Sequence, residues 1–217
     1  ELDELAGKFG TVIVDECQHV VANPACAEMF NAVLGCLPAR YRYGLTATPS
    51  RGDGLEETIH LILGDTLTTV DRQVLVDTGS TVVPAIQPVR TGFCYEPTAR
   101  EREHIDIARL RRCLAADYVR CDGILQLLET DLLAGHTALV LGSSLDILED
   151  MQAALERSPR LADAGISARF ICGATKANHR AEALRAVKTP DSPVRCLLAT
   201  YQLAKEGLDI PRADRLY

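Results

Sequence analysis

The sequence predicts an α/β fold built on parallel sheets, and three observations carry that prediction. Short β-branched runs alternate with segments of helical periodicity along most of the chain. Acidic and hydroxyl residues follow directly on two of those runs, at the strand ends where α/β sheets bind their ligands. Of the 217 residues, 47% are apolar and 24% charged, with mean hydropathy +0.03; this is a globular balance that excludes intrinsic disorder.

The elements follow in order. Thr11-Val12-Ile13-Val14 is the first buried strand, followed by a helix over 25–37, a strand over 41–46 and a helix over 55–63. Two further β-rich runs occupy 66–76 and 82–95. Residues 98–133 read as one long or two consecutive helices; any break falls at Cys121-Asp122-Gly123, because a glycine inside a helix costs about 1 kcal/mol. A second series then begins: strand 137–141, helix 145–156, strand 166–172, helix 178–187 and strand 194–199. Two α/β lobes result, 1–92 and 93–217, joined near Pro84 and Pro88. Both read as incomplete. The first opens almost at once on a strand without the βα units that normally precede it, and the second stops at Tyr217 within what reads as a further strand.

Lys and Arg number 23 against 30 Asp and Glu, a formal charge of −7. That balance excludes a surface that is basic throughout but leaves room for a local basic channel. Nineteen of the 23 cations are Arg, the planar type suited to phosphate. Eight cysteines contain no C-x-x-C pair, which favours buried reduced thiols in a cytoplasmic protein over a metal or disulfide framework. His19, His60, His104, His136 and His179 are dispersed and read as surface or capping residues. The helical stretch Arg100, Arg102, Arg109, Arg111 and Arg112 is interleaved with Glu101, Glu103 and Asp106 and reads as a solvated face with i,i+4 pairs in preference to a DNA-tracking stripe. Ser143-Ser144 lacks the surroundings of a hydrolase nucleophile. No apolar stretch reaches membrane-spanning length and no signal peptide is evident, so no membrane partner is expected.

The chemistry concentrates at the strand ends. Asp15-Glu16-Cys17-Gln18-His19 follows the first strand. By themselves two carboxylates there admit two readings: a helix N-cap with a charged first turn, or a pair in which one holds Mg2+ through water and the other orients a hydrolytic water. Arg40-Tyr41-Arg42-Tyr43-Gly44-Leu45-Thr46-Ala47-Thr48-Pro49 ends the next strand, which sets small hydroxyl residues beside the acidic pair. With these two segments the chain resembles a superfamily 2 helicase of the DEAD/DEAH type. Asp15-Glu16 looks like the Walker B motif II and Thr46-Ala47-Thr48 like motif III, while Arg51-Gly52-Asp53-Gly54-Leu55-Glu56 resembles the branch containing XPB and phage UvsW-type enzymes. Leu139 to Ser144 resembles motif IV, and Cys172-Gly173-Ala174-Thr175 with Arg180 resembles the family segment that follows it. Ala199-Thr200 through Glu206-Gly207-Leu208-Asp209-Ile210-Pro211 resembles motif V closely and is the most specific match.

The resemblance implies two RecA-like lobes, ATP and Mg2+ as cofactors, and DNA rather than RNA as partner. It further implies that repair, recombination or restriction proteins assemble with the chain. Asp15 would hold the Mg2+ through water and Glu16 would position the attacking water. Thr46, Ala47 and Thr48 would couple the nucleotide to lobe movement, Gly207 and Asp209 would approach ATP from the second lobe, and Thr200, Ser143 and Gly173 would meet nucleic-acid phosphates. Arg51 and Asp53 read either as a turn with an exposed ion pair or as inter-lobe contacts.

Two departures stand out. Gln18 occupies the fourth motif II position, where many relatives carry His or Asp, with His19 one place later. No G-x-x-x-x-G-K-[ST] occurs and no Arg-bearing motif VI follows Pro211. The expectation is therefore a piece of a larger motor, inactive by itself and missing the Walker A half of lobe 1 and the C-terminal end of lobe 2. A duplex-translocating subunit of a restriction or repair complex and a non-catalytic binding module are the alternative readings.

Overall fold

The computed structural model describes residues 2–5, 7–21, 24–48, 56–101, 104–204 and 208–217. They form two compact units, Glu1–Ile86 and Gln87–Tyr217.

In the first unit a single helical turn, α1 (Leu2–Leu5), precedes strand β1 (Thr11–Val14), which lies parallel to β2 (Tyr41–Gly44) with Thr11 opposite Tyr41 and Val14 opposite Gly44. A 3-10 turn (Cys17–Val21) and helix α2 (Pro24–Cys36) make the crossover that a parallel pair requires. Alternation along β1 sends Val12 and Val14 into a core with Val20, Leu34 and, from α3 (Glu56–Leu63), Ile59 and Leu63. The opposite face carries the cross-strand partners Ile13 and Tyr43, which are 62% and 40% exposed. Among the described residues β1 is therefore covered on one face only, where its unbroken β-branched sequence predicts burial throughout. Arg42, on the covered face, donates from one guanidinium nitrogen to the carbonyls of Leu34 (3.0 Å) and Leu37 (3.4 Å), which satisfies groups left open at the end of α2.

The β-rich runs at 66–76 and 82–95 form no strand among the described residues. Asp71 instead caps helix α4 (Arg72–Asp77), its carboxylate accepting from the Gln73 amide at 2.8 Å. Among the described residues neither run has a strand to pair with, and β propensity is realised only against a partner.

The second unit holds four parallel strands in the order β4-β5-β3-β6: β3 (Ala138–Gly142), β4 (Ser167–Ile171), β5 (Val194–Thr200) and β6 (Arg215–Leu216). Helices α5 (Ile107–Ala116) and α6 (Tyr118–Leu133) precede the sheet. With α7 (Leu145–Arg157) and α8 (Pro159–Asp163), α6 buries Leu128, Leu132, Leu148, Leu155 and Leu161 against Ala138, Val140, Cys196 and Leu198 on one face. On the other, α9 (Ala177–Lys188) and α10 (Tyr201–Ala204) pack Val187 and Leu203 against Ile171, Leu197 and Ala199. The run of buried residues in β5 is what a central strand covered on both sides demands. Ser167 and Ala168 pair with Val194 and Cys196, so Arg195 is an extra residue. That bulge lets Val194 serve one core and Cys196 the other.

Three local expectations are corrected. The helical break falls at Asp117 and not at Gly123: Asp117 closes α5 and its carboxylate accepts from the Arg120 amide at 3.1 Å, opening α6. Gly123 sits inside α6 with open space where a Cβ would be; its cost of about 1 kcal/mol is outweighed by burial of Leu128 and Leu132 on the same helix. Glu101 is not on a solvated face. It is buried and accepts hydrogen bonds from the Tyr95 hydroxyl, from the Thr98 amide (2.8 Å) and hydroxyl (2.6 Å) and from Arg109 (2.6 Å). His136 is no isolated surface residue either: its Nδ1 lies 2.7 Å from Asp214, whose carboxylate also accepts from the Thr137 amide at 3.0 Å. Beside it, Arg215 and the Tyr217 hydroxyl both donate to Asp131, at 3.0 and 2.7 Å. These bonds fasten β6 at the strand-start end of the sheet.

Cys17, Cys36, Cys94, Cys113, Cys121, Cys172 and Cys196 are free thiols; Cys17 and Cys196 are buried and Cys94 is exposed, so among these seven the expectation of burial holds fully for two. Burial pushes the Cys196 thiol up to about 12. Among the described residues no helix is long and apolar enough to cross a membrane.

Candidate functional site

The first constellation grows from the ends of β1 and β2. Beyond the strands themselves, Leu45 donates its amide to the Val14 carbonyl and Cys17 to the Leu45 carbonyl, both at 2.9 Å, which locks the two post-strand segments together. Gly44 permits that closeness: a Cβ there would lie 2.7 Å from Leu63 Cδ1 and 2.8 Å from Cys17 Sγ. Glu16 adopts φ +49°, a left-handed conformation uncommon outside glycine and concentrated at functional turns. The Asp15 carboxylate accepts from the Glu16 amide through Oδ1 at 2.9 Å.

Gln18 joins the two segments. Its Nε2 donates to Glu16 Oε2 at 2.6 Å, and its Oε1 accepts from the Thr46 hydroxyl, whose oxygen in turn accepts from the Thr48 amide at 3.0 Å. The structure thus brings Asp15, Glu16, Thr46, Ala47 and Thr48 to one end of one parallel pair. Gln18, which the sequence marks only as a departure from pattern, is the connecting residue. A side-chain amide can donate to a carboxylate and accept from a hydroxyl at once, and that was the available signal. Arg51 and Asp53 lie outside the described residues.

The second constellation lies at the C-terminal ends of β4, β5 and β3. Thr200 is in register with Gly142, Ser143 follows β3, and Gly173 follows β4, whose Ile171 is opposite Ala199. Three sequence-predicted residues therefore share one sheet edge. At Gly142 a Cβ would meet Leu148 Cδ2 at 2.9 Å, so glycine lets α7 pack close against the strand end. The N-cap residues of α7 and α9, Ser144 and Lys176, make no side-chain cap bond. Their first-turn amides are thereby left open to an anion. In the β4–α9 turn, Thr175 Oγ1 accepts from the Cys172 amide at 2.9 Å, and Arg180 donates to the carbonyls of Gly173 (3.4 Å) and Thr175 (3.5 Å). The buried Nε of Arg180 has no partner among the described residues.

Asp209 stands on an exposed loop after α10, with its side chain 82% accessible and 3.3 Å from Lys188 Nζ. Arg212 anchors the same loop by donating to the carbonyls of Val187 and Thr189 at the end of α9. Neither Lys188 nor Arg212 is distinguished in the sequence, because their partners are 21 and more residues away. Gly207 lies outside the described residues.

Asp15 is a donor of the type that Mg2+ takes. Asp15 offers a hard carboxylate oxygen at a strand end, with only Oδ1 engaged. No three His, Cys, Asp or Glu side chains gather among the described residues; a Mg2+ that keeps its waters is held by one or two carboxylates and the substrate's phosphates.

Parallel sheets with polar residues at their C-terminal edges define a fold shared with helicases of known structure. Helicase Lhr of Mycobacterium smegmatis, in a structure with ssDNA and AMP-PNP, matches 95% of this chain and 24% of its own, with a TM-score of 0.55 and 22% identity. In sequence, "Putative helicase 22" of Sulfolobus islandicus filamentous virus (isolate Iceland/Hveragerdi) is 27% identical over an alignment of 218 positions that covers 97% of this chain and 37% of that protein. The chain spans well under half the length of either. No family model matches it.

Proposed function

We propose that this chain is the motor segment of an ATP-dependent DNA helicase or translocase of superfamily 2, XPB/UvsW-like branch, its two units being RecA-like lobes. The hydrogen-bonded chain Glu16–Gln18–Thr46–Thr48 carries the reading, because it joins the residues matching motif II to those matching motif III within one unit. The fold shared with a helicase that binds ssDNA and AMP-PNP and the name of the viral relative support it.

Asp15 would hold Mg2+ through water, the ion supplying charge neutralisation at the phosphates when bound. Glu16 orients the attacking water: Oε2 is held by Gln18, leaving Oε1 to accept the water's hydrogen bond. A change in that bond reaches Thr46, and through it the Thr48 amide. By the resemblance of their segment to motif V, Gly207 and Asp209 would meet the nucleotide. Thr200, Ser143 and Gly173, with the uncapped starts of α7 and α9, hold backbone phosphates and so fix position without reading sequence. The protein acts on DNA in the cytoplasm.

Gln18→Leu in the intact protein tests this relay. It lowers DNA-stimulated ATP turnover by roughly 10- to 100-fold while nucleotide binding stays unchanged, and Gln18→His, which can also donate and accept, recovers part of the loss. Unaltered turnover in Gln18→Leu would refute the relay.

A further inference from the structure

A groove in the second unit is lined by none of the residues of that unit's sheet-edge constellation and is built for a different kind of partner. It runs between α6 and α7. A cavity of about 520 Å3 is floored by Leu125, Ile147, Met151 and Ala154, and a second of about 180 Å3 continues it past Leu125 and Ala154 to Ser158. From Ile147 to Ser158 the groove is about 16 Å long at the helical rise per residue, close to three turns of helix. Tyr118 and Val119 stand at its mouth 82% and 78% exposed, the first turn of α6 turning large apolar side chains to solvent. Adjacent exposed residues of that size mark interaction surfaces more often than scattered ones do.

Charge determines what fits. Asp122 and Asp150 line the groove from opposite helices, and neither has an ion-pair partner among the described residues. The surroundings reinforce them. Helix α6 carries one Arg against three carboxylates and α7 one Arg against four, a formal −5 that remains negative after Arg160 and Arg215 pair with Glu129 and Asp131 of α6. Such a surface repels a phosphate backbone and an anionic membrane, and it lowers the free energy of a cation held beside the apolar floor.

We infer that the α6–α7 groove docks a basic amphipathic α-helix of a partner protein. The helix lays apolar side chains about one turn apart onto Leu125, Ile147, Met151 and Ala154, with Lys or Arg on its flanks facing Asp122 and Asp150. Apolar anchors supply affinity, while the flanking charges set orientation and reject acidic competitors.

The test uses two fluorescein-labelled 16-residue helical peptides with leucines along one face, flanked in one by lysines and in the other by glutamates, titrated against the intact protein by fluorescence anisotropy. The lysine peptide binds at least tenfold more tightly than the glutamate peptide. Asp122→Lys combined with Asp150→Lys, both at exposed positions, reverses the preference. Ala154→Phe, which fills the floor, weakens lysine-peptide binding at least tenfold with the far-UV circular dichroism unchanged, and single-stranded DNA does not displace the peptide. Equal binding of the two peptides, a preference unmoved by the double charge reversal, absence of binding, or displacement by DNA would each overturn the assignment.

Discussion

Gln18 shows what a single side chain adds to a motif. The sequence alone marks position 18 as a mismatch, whereas in the fold its amide bonds to both Glu16 and Thr46. Gly44 is a second such position. A methyl group there would press on Leu63 and Cys17 at distances no ordinary Cβ contact allows, so Gly44→Ala is expected to destabilise the first unit by about 1–3 kcal/mol, read as a lower denaturant midpoint with unchanged slope. Glu101 supplies a pH signature. Hydrogen bonds from the Thr98 and Tyr95 hydroxyls and the Thr98 amide lower its pKa from 4.5 to about 2. A carboxyl lowered on folding stabilises the folded state above its unfolded value, and that contribution is lost as pH falls from 4.5 towards 2. Melting temperature should therefore drop more steeply over that window in the native protein than in Glu101→Gln; parallel profiles would remove Glu101 as the cause.

Among the elements, those that carry an unbroken apolar run or a clear helical period were legible, and those defined by their neighbours were not. Strands β1 and β5 follow from Thr-Val-Ile-Val and Cys-Leu-Leu-Ala, and helices α2, α7 and α9 lie within one residue of their expected bounds at each end. The runs at 66–76 and 82–95 have the same composition but no partner strand, and Asp71 turned part of the first into α4. The junction of α5 and α6 was misassigned for a related reason. Propensity singles out Gly123, but the hydrogen bond that ends one helix and opens the next belongs to Asp117. That account predicts that Gly123→Ala is stabilising by roughly 0.5–1 kcal/mol, because the added Cβ meets open space and the helix interior loses its most flexible residue. Thermal unfolding of the variant measures it, and a lower melting temperature would mean that Gly123 serves packing not visible here.

At the scale of the molecule, each unit sets its polar residues at the C-terminal ends of parallel strands. This much of the site was readable, since a strand followed by Asp-Glu or by Ala-Thr announces itself in one dimension. What could not be read was long-range: the Lys188–Asp209 pair, the Arg212 clamp on α9 and the groove between α6 and α7 all join residues far apart in sequence. The central claim is that the Asp15-Glu16 end of β1 drives a motor on DNA. Steady-state ATP hydrolysis by the intact protein, with and without single-stranded DNA and compared with Glu16→Gln, tests it most directly. The account predicts DNA-stimulated turnover that falls at least a hundredfold in the variant while nucleotide still binds. Folded protein that hydrolyses no ATP, or hydrolyses it equally well with Gln at position 16, would contradict it.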